Sequence, residues 1–289
     1  LGQSGNLTPK YDNQEDVLKG IQALLDQAII DLGRDASANA LFPGVDDLIY
    51  GGDVSLWLKT AYALKARYAN RLSQRDPSGS ATAALAAVGN AYASYAEDCN
   101  MIFGGGTSQN QWFAFGNERA GYIQVSETFV DSLSNTADPR LPVFVGLDAD
   151  GGISGTPFDD VDVTGTSYLG DYYAAVDASI PLVSYVELKF IEAEAKLRNG
   201  DAGGAATAHN DAVKASIMQV TGASDATYEG MYASETGASI TLEKIMYQKW
   251  VALFAQVEAY SDWRRTGFPT LTANPNAVFS PASIPLRLP

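Results

Sequence analysis

Residues 180–201 read IPLVSYVELKFIEAEAKLRNGD, and this stretch decides the fold. Ser184 stands three residues before Glu187, which is capping-box spacing: the hydroxyl accepts from the third helical N–H and the carboxylate reaches back. The helix so opened stops at Asn199-Gly200, a pair suited to the left-handed turn that ends helices. Asp201 then caps a second helix over about Ala202–Gln219. A helix–Gly-Asp–helix junction this tight forces the two helices antiparallel.

Working outward, the same chemistry recurs on both sides. Downstream, a long helix over Thr241–Tyr260 carries Ile245, Met246, Trp250, Val251, Leu253, Phe254 and Val257, with irregular, Pro-containing chain from Pro269 on. Upstream, Asp12–Leu32 places Val17, Leu18, Ile21, Leu24, Leu25, Ala28, Ile29 and Leu32 on one stripe at 3/4 spacing. Asp12 is placed to cap it, and Gly33 follows its last turn. Asp53 caps a helix to about Gln74, whose stripe holds Trp57 and whose Arg67, Arg71 and Arg75 share another face. An Ala-rich helix over Ser80–Glu97 allows close helix–helix approach. Its end carries Cys99, a half-buried spectator thiol beside Asp98. Hairpins of this kind cannot bury their stripes alone, so they stack. The fold class is all-α: stacked helical hairpins, tetratricopeptide-like, with a long loop-rich insertion.

That insertion runs from Asp98 to Ile180, where helical periodicity breaks down apart from a short helix near Ser126–Leu133. An irregular stretch this long inside a helical scaffold usually carries function. Three regions follow: residues 1–98 and 181–289 as the two parts of the scaffold, and 99–180 as a loop-rich aromatic region and candidate binding site.

Composition removes several function classes. The 289 residues carry 34 acidic and 19 basic side chains, a net charge of −15, which opposes a nucleic-acid partner. One Cys excludes an internal disulfide, and one His, His209, leaves no His-based metal cluster and little material for a Ser-His-Asp triad. No apolar run reaches the length of about 18 residues that a spanning helix needs. Asp148-Ala149-Asp150-Gly151 faintly resembles a calcium loop but lacks the distant Glu, and with Asp159-Asp160-Val161-Asp162 it reads as a solvated acidic loop. Neither a metal nor a cofactor is expected.

Three segments resemble the SusD/RagB family, in the family's order. They are Asp47–Asp53 with Trp57-Leu58-Lys59 and Ala63–Arg67; Ile180–Ala195, ending in the Ala193-Glu194-Ala195 helix; and Lys249–Phe254 through Tyr260-Ser261-Asp262-Trp263-Arg264-Arg265-Thr266-Gly267-Phe268-Pro269. Asp138-Pro139-Arg140 and the closing Ile284-Pro285-Leu286-Arg287 fit the same pattern. The resemblance implies a non-catalytic, cell-surface lipoprotein of the outer membrane. It would capture oligosaccharide, or peptide in some members, for a SusC-like TonB-dependent transporter. The lipidated Cys and the family's first helices do not lie in these residues, so the start reads as a processed or truncated end.

Sugar rings pack their C–H faces on aromatics while amides and carboxylates meet their hydroxyls. Trp112 among Asn110, Gln111 and Asn117 has that chemistry, and Tyr168, Tyr172 and Tyr173 around Asp171 form a second candidate cluster. The competing role for each is to anchor the loop. Asp262-Trp263-Arg264-Arg265 reads as an acid–base lock at a helix end, and Trp57 and Trp250 as core. A different class, an α/α-type glycoside hydrolase, would need two carboxylates across a cleft. Glu192 and Glu194, two apart on a helix, point about 200° apart and cannot flank one bond.

Overall fold

A computed structural model describes residues 5, 8, 10–158 and 165–274. Its helices are α1 (Gln14–Leu32), α2 (Val54–Asn70), α3 (Pro77–Val88), α4 (Gln111–Glu118), α5 (Glu127–Asn135), α6 (Leu141–Phe144), α7 (Asp171–Ala174), α8 (Tyr185–Arg198), α9 (Ala202–Thr221), α10 (Ala226–Tyr232), α11 (Leu242–Ala252) and α12 (Val257–Thr266). One antiparallel pair, β1 (Cys99–Met101) with β2 (Ile180–Val183), closes the neck of the insertion, Met101 facing Ile180.

The α8–α9 hairpin forms as its caps dictate. Ser184 accepts from the Glu187 N–H, and Asp201 accepts from the Gly204 N–H at 2.8 Å. The helices then stack in a row, α1 on α2, α2 on α3, α3 on α8 and α8 on α9, with α11 laid against α8. Ala63, Ala66, Ala81 and Ala84 are fully buried where α2, α3 and α8 meet. Their small side chains bring the backbones close.

Several boundaries differ from the sequence expectation. Asn13, not Asp12, caps α1, accepting from the Asp16 N–H. α2 ends at Asn70, and α3 runs from Pro77 to Val88 instead of Ser80 to Glu97, capped by Asp76 with Pro77 in its first turn. Beyond α3, the Tyr92 hydroxyl bonds Thr60 at 2.7 Å and ties the turn back to α2. The helix expected over Thr241–Tyr260 is two helices broken at Leu253–Gln256, with Ala255 left-handed at φ 60°. The break turns Phe254 onto Phe129 of the insertion, their rings stacked at 3.9 Å. Burial of two aromatic faces offsets the strain at one alanine.

Of the three arginines expected on one face, Arg67 and Arg71 are consumed inside the molecule, while Arg75 is exposed beyond the end of α2. Arg67 grips Glu187 on α8 through Nε at 2.7 Å and Nη2 at 2.5 Å, and Arg71 pairs with Glu258 on α12. Asp262 and Arg265 do lock a helix end, but their reach is longer. Arg265 also bonds Glu194 on α8 at 2.7 Å and the Ser73 hydroxyl at 2.9 Å, while Lys249 on α11 sits 2.6 Å from Asp262. The motif therefore fastens three helices and the turn after α2 to one another. Cys99 lies in β1, not in a helix, and is buried. Trp57 and Trp250 are half-buried, the Trp57 indole N–H donating to Asp47 at 2.7 Å.

Asp98, at the same neck, is 5% exposed and accepts from the Tyr185 N–H at 2.6 Å and from Gln219 Nε2 at 2.8 Å. Burial pushes its carboxyl up to about 7 against those donors. Between the ordinary carboxylate pKa and that value, the folded chain holds a proton the unfolded chain has lost. Stability from this group is therefore full at low pH and declines as pH rises from about 4 through 7. Asp98→Asn is expected to flatten this part of the curve and to raise the melting temperature at pH 8. Thermal scans across pH 4–8 check it; an unchanged slope would assign the pH dependence elsewhere.

Candidate ligand-binding face

The insertion is not a floppy loop but a second small core. Phe129, Leu133, Phe144, Val145 and Tyr173 are buried together against Val251 of α11, with Trp112, Tyr172, Trp250 and Phe254 packed around them. Gly155 makes this packing possible at α5, because a Cβ there would lie 2.3 Å from the Glu127 Cα. Phe129, Phe144 and Tyr173, three of the aromatics that make the segment look ligand-binding, are therefore interior.

α4 is the exception, and its position follows from one residue. Asn110 caps it, its Oδ1 accepting from the Trp112 and Phe113 N–H groups at 2.7 and 3.1 Å. Its Nδ2 donates to the Ala178 carbonyl at 2.6 Å. Asn110 is 0% exposed, so the expectation that it meets a ligand is corrected: it is the peg that holds α4.

Two grooves flank the helix. One, of about 410 Å³, is lined by Gln111, Trp112, Phe115, Glu118 and Ile123. The other, of about 320 Å³, includes Phe113, Asn117, Arg119, Gln124 and Tyr168. Ile123 borders both. Trp112 is half-buried at the root of the first groove, with Gln111 and Glu118 exposed beside it and Phe115 38% exposed. The Trp112 indole N–H has no partner among the described residues.

Tyr168 braces the helix from the second groove. Its hydroxyl donates to the Trp112 carbonyl at 2.8 Å, and burial raises its pKa. The ring lies so close to α4 that a Cβ on Gly116 would stand 2.7 Å from its Cε1. Arg119 lies over the exposed Tyr122 ring, its Cζ 5.7 Å from the centroid.

The structure thus brings four expected residues to one helix: Gln111 and Trp112 on one side, Asn117 and Tyr168 on the other. Tyr172 and Tyr173 go elsewhere, which is a second correction. Tyr173 is 1% exposed and stacks with Phe144 at 5.7 Å. Tyr172 meets it edge-on at 4.9 Å, and burial pushes the Tyr172 hydroxyl up to about 12. Neither lines a groove of α4. Glu118 was not singled out from sequence, yet Gln111, Phe115 and Glu118 fall at i, i+4 and i+7, the spacing of one helix face.

Asp148 closes its own turn, accepting from the N–H groups of Asp150 and Gly152 at 3.0 and 2.8 Å. Asp159-Asp160-Val161-Asp162 and Ile284-Pro285-Leu286-Arg287 lie outside the described residues. Among the described residues, no group of three His, Cys, Asp or Glu side chains could hold a metal, and no helix is long and apolar enough to cross a membrane.

Comparison with known proteins agrees with this architecture. The SusD-like family, described as starch-binding and associating with the outer membrane, matches residues 1–289. Thirty-six solved chains match. Among them is a chitin-binding protein, 28% identical with a TM-score of 0.77, aligned over 95% of this chain and 64% of its own. A chitin-binding SusD homolog from Flavobacterium johnsoniae is 24% identical with a TM-score of 0.78, covering 91% and 62%. A SusD/RagB family protein from Bacteroides thetaiotaomicron is 26% identical with a TM-score of 0.72, covering 93% and 65%. The chain thus spans less than two thirds of the length of each. Among curated proteins, nothing matches.

Proposed function

This chain belongs to the SusD-like family, and from that premise we propose that it binds oligosaccharide at the outer surface of the outer membrane and passes it to a TonB-dependent transporter of the SusC type. The observation that supports the glycan role within this chain is Trp112, half-buried on α4 with a free indole N–H, exposed amide and carboxylate neighbours, and a groove on either side of its helix. An aromatic face edged by such groups suits a sugar ring, whose C–H side is apolar and whose rim is hydroxyl.

Binding without hydrolysis is the second part of the proposal. Cleaving a glycosidic bond takes a carboxylic acid of raised pKa facing a second carboxylate across the scissile bond. Glu192, Glu194 and Asp262 are committed elsewhere, Asp262 to Lys249 and Arg265, and Asp159 lies outside the described residues. Glu192 bonds Lys189 and Lys196 at 2.7 and 2.6 Å. Burial opposes ionisation of Glu194, but the charges of Arg265, Lys249 and Arg198 outweigh it and hold its pKa at about 2. Asp98 has the raised pKa but sits in the neck of the insertion, 5% exposed.

Soluble malto- and chito-oligosaccharides are accordingly expected to quench intrinsic tryptophan fluorescence saturably and to be recovered at full length by chromatography. Appearance of shorter products would move the protein to the hydrolase class. Quenching by peptides alone would favour a peptide ligand.

A further inference from the structure

A second cleft, of about 450 Å³, opens far from α4 in sequence, where α5, α9, α10, α11 and the chain after α12 converge. Its volume lies within the range of about 300–1,000 Å³ usual for small-ligand sites. Trp250 and Tyr247, both half-buried, form a bent aromatic wall, their ring centroids 6.1 Å apart and inclined at 44°. His209 belongs to the floor. Its Nε2 lies 3.2 Å from the Tyr232 carbonyl, and burial lowers its pKa to about 4, so the floor is uncharged at neutral pH.

Charge at the rim sorts the possible ligands. Lys244 is the cation there, and it is already held by Glu235 at 2.8 Å and by the Ser239 carbonyl at 3.0 Å. The Glu243 carboxylate and the Thr128 hydroxyl have no side-chain partner among the described residues. An anion would find no available cation and would face Glu243. A neutral ring with one apolar face and several hydroxyls would find aromatic walls, a free acceptor and a free hydroxyl.

We infer that this cleft is a second saccharide subsite, taking one or two neutral sugar residues against Trp250 and Tyr247, with Glu243 and Thr128 bonding their hydroxyls. It relies on the glycan reading above for the class of ligand and on no residue of α4 for its geometry.

Met231, 54% exposed at the cleft, is the reporter. Protein carrying carbon-13 methionine methyls is titrated with maltoheptaose and with chitohexaose, in the natural chain and in Trp112→Ala. The Met231 methyl resonance is expected to shift saturably in both proteins. Adding Met231→Arg to Trp112→Ala, an exposed change that obstructs the cleft, should weaken the residual affinity by about tenfold or more. A Met231 methyl that stays fixed while tryptophan fluorescence reports binding would overturn the second subsite and leave the α4 reading standing. A shift that disappears with Trp112→Ala would overturn it too, since the two grooves would then be one site. If neither glycan binds the natural chain, both readings fail.

Discussion

Arg140→Met is expected to be among the most destabilising single changes in the insertion, costing about 3–5 kcal/mol because it strips the partner from a buried carboxylate. Arg140 is 0% exposed, and each arm of its guanidinium is engaged. Nε and Nη2 donate to the two oxygens of Asp138 at 2.9 and 2.6 Å, Nη1 to the Ser216 hydroxyl at 2.9 Å, and Nη2 also to Gln248 Oε1 at 2.9 Å. Tyr228 donates to Asp138 at 2.6 Å and accepts from Gln248 Nε2 at 3.0 Å. One side chain therefore joins the insertion to α9, α10 and α11.

At 2–4 °C per kcal/mol, the melting temperature should fall by roughly 6–20 °C. Burial opposes ionisation of Asp138, but the bonds and charge of Arg140 and the Tyr228 hydroxyl hold its pKa below the usual carboxylate value. Stability from that group is present above the ordinary carboxylate pKa and is lost as pH falls through the folded value. In Arg140→Met the sign reverses. The orphaned Asp138 then gains from protonation, so the deficit should shrink as pH drops from 7 toward 5. Adding Asp138→Asn should recover much of the loss, since a neutral pair removes the buried charge. A loss below about 1 kcal/mol, or one independent of pH, would show that the network relaxes or admits water.

What sequence revealed and what it hid follow from how locally each feature is determined. The α8–α9 hairpin was legible residue by residue because its caps, Ser184 and Asp201, act within three positions of themselves. The break between α11 and α12 was not. Its apolar periodicity runs straight through, and only the Phe129 ring, more than a hundred residues away, makes a left-handed Ala255 worthwhile. The insertion misled in the opposite way. Aromatic richness in irregular chain signals either a ligand surface or a small core, and composition cannot separate them. Phe129, Phe144 and Tyr173 went to the core, and Trp112 to its edge. Asn110 carried a readable signal, since an Asn directly before a helical run is as much an N-cap as a sugar-binding amide. Because α4 was not expected to be a helix, neither that cap nor the shared face of Gln111, Phe115 and Glu118 was recognised.

The consequence for binding is concentrated in one residue. Trp112→Ala is expected to weaken oligosaccharide affinity by about 30-fold or more, the loss typical of an aromatic anchor worth at least ~2 kcal/mol. Its effect on folding should be smaller than that of a buried aromatic, because Trp112 is half-buried at the margin of the cluster. Tyr173→Ala supplies the scale: it removes a ring that is 1% exposed and should cost about 3–5 kcal/mol, as other fully buried aromatics do. Asn110→Ala separates contact from placement. It deletes the cap and the tether to Ala178 but no groove surface, so it should cost about 1 kcal/mol of stability and loosen α4. If α4 must be held still to bind, affinity falls in Asn110→Ala although the Trp112 ring is present. Calorimetric titration and thermal melts on the three variants distinguish the cases. If Trp112→Ala melts as low as Tyr173→Ala while glycan affinity holds, Trp112 is an anchor of the insertion, and the ligand must be met elsewhere on the chain.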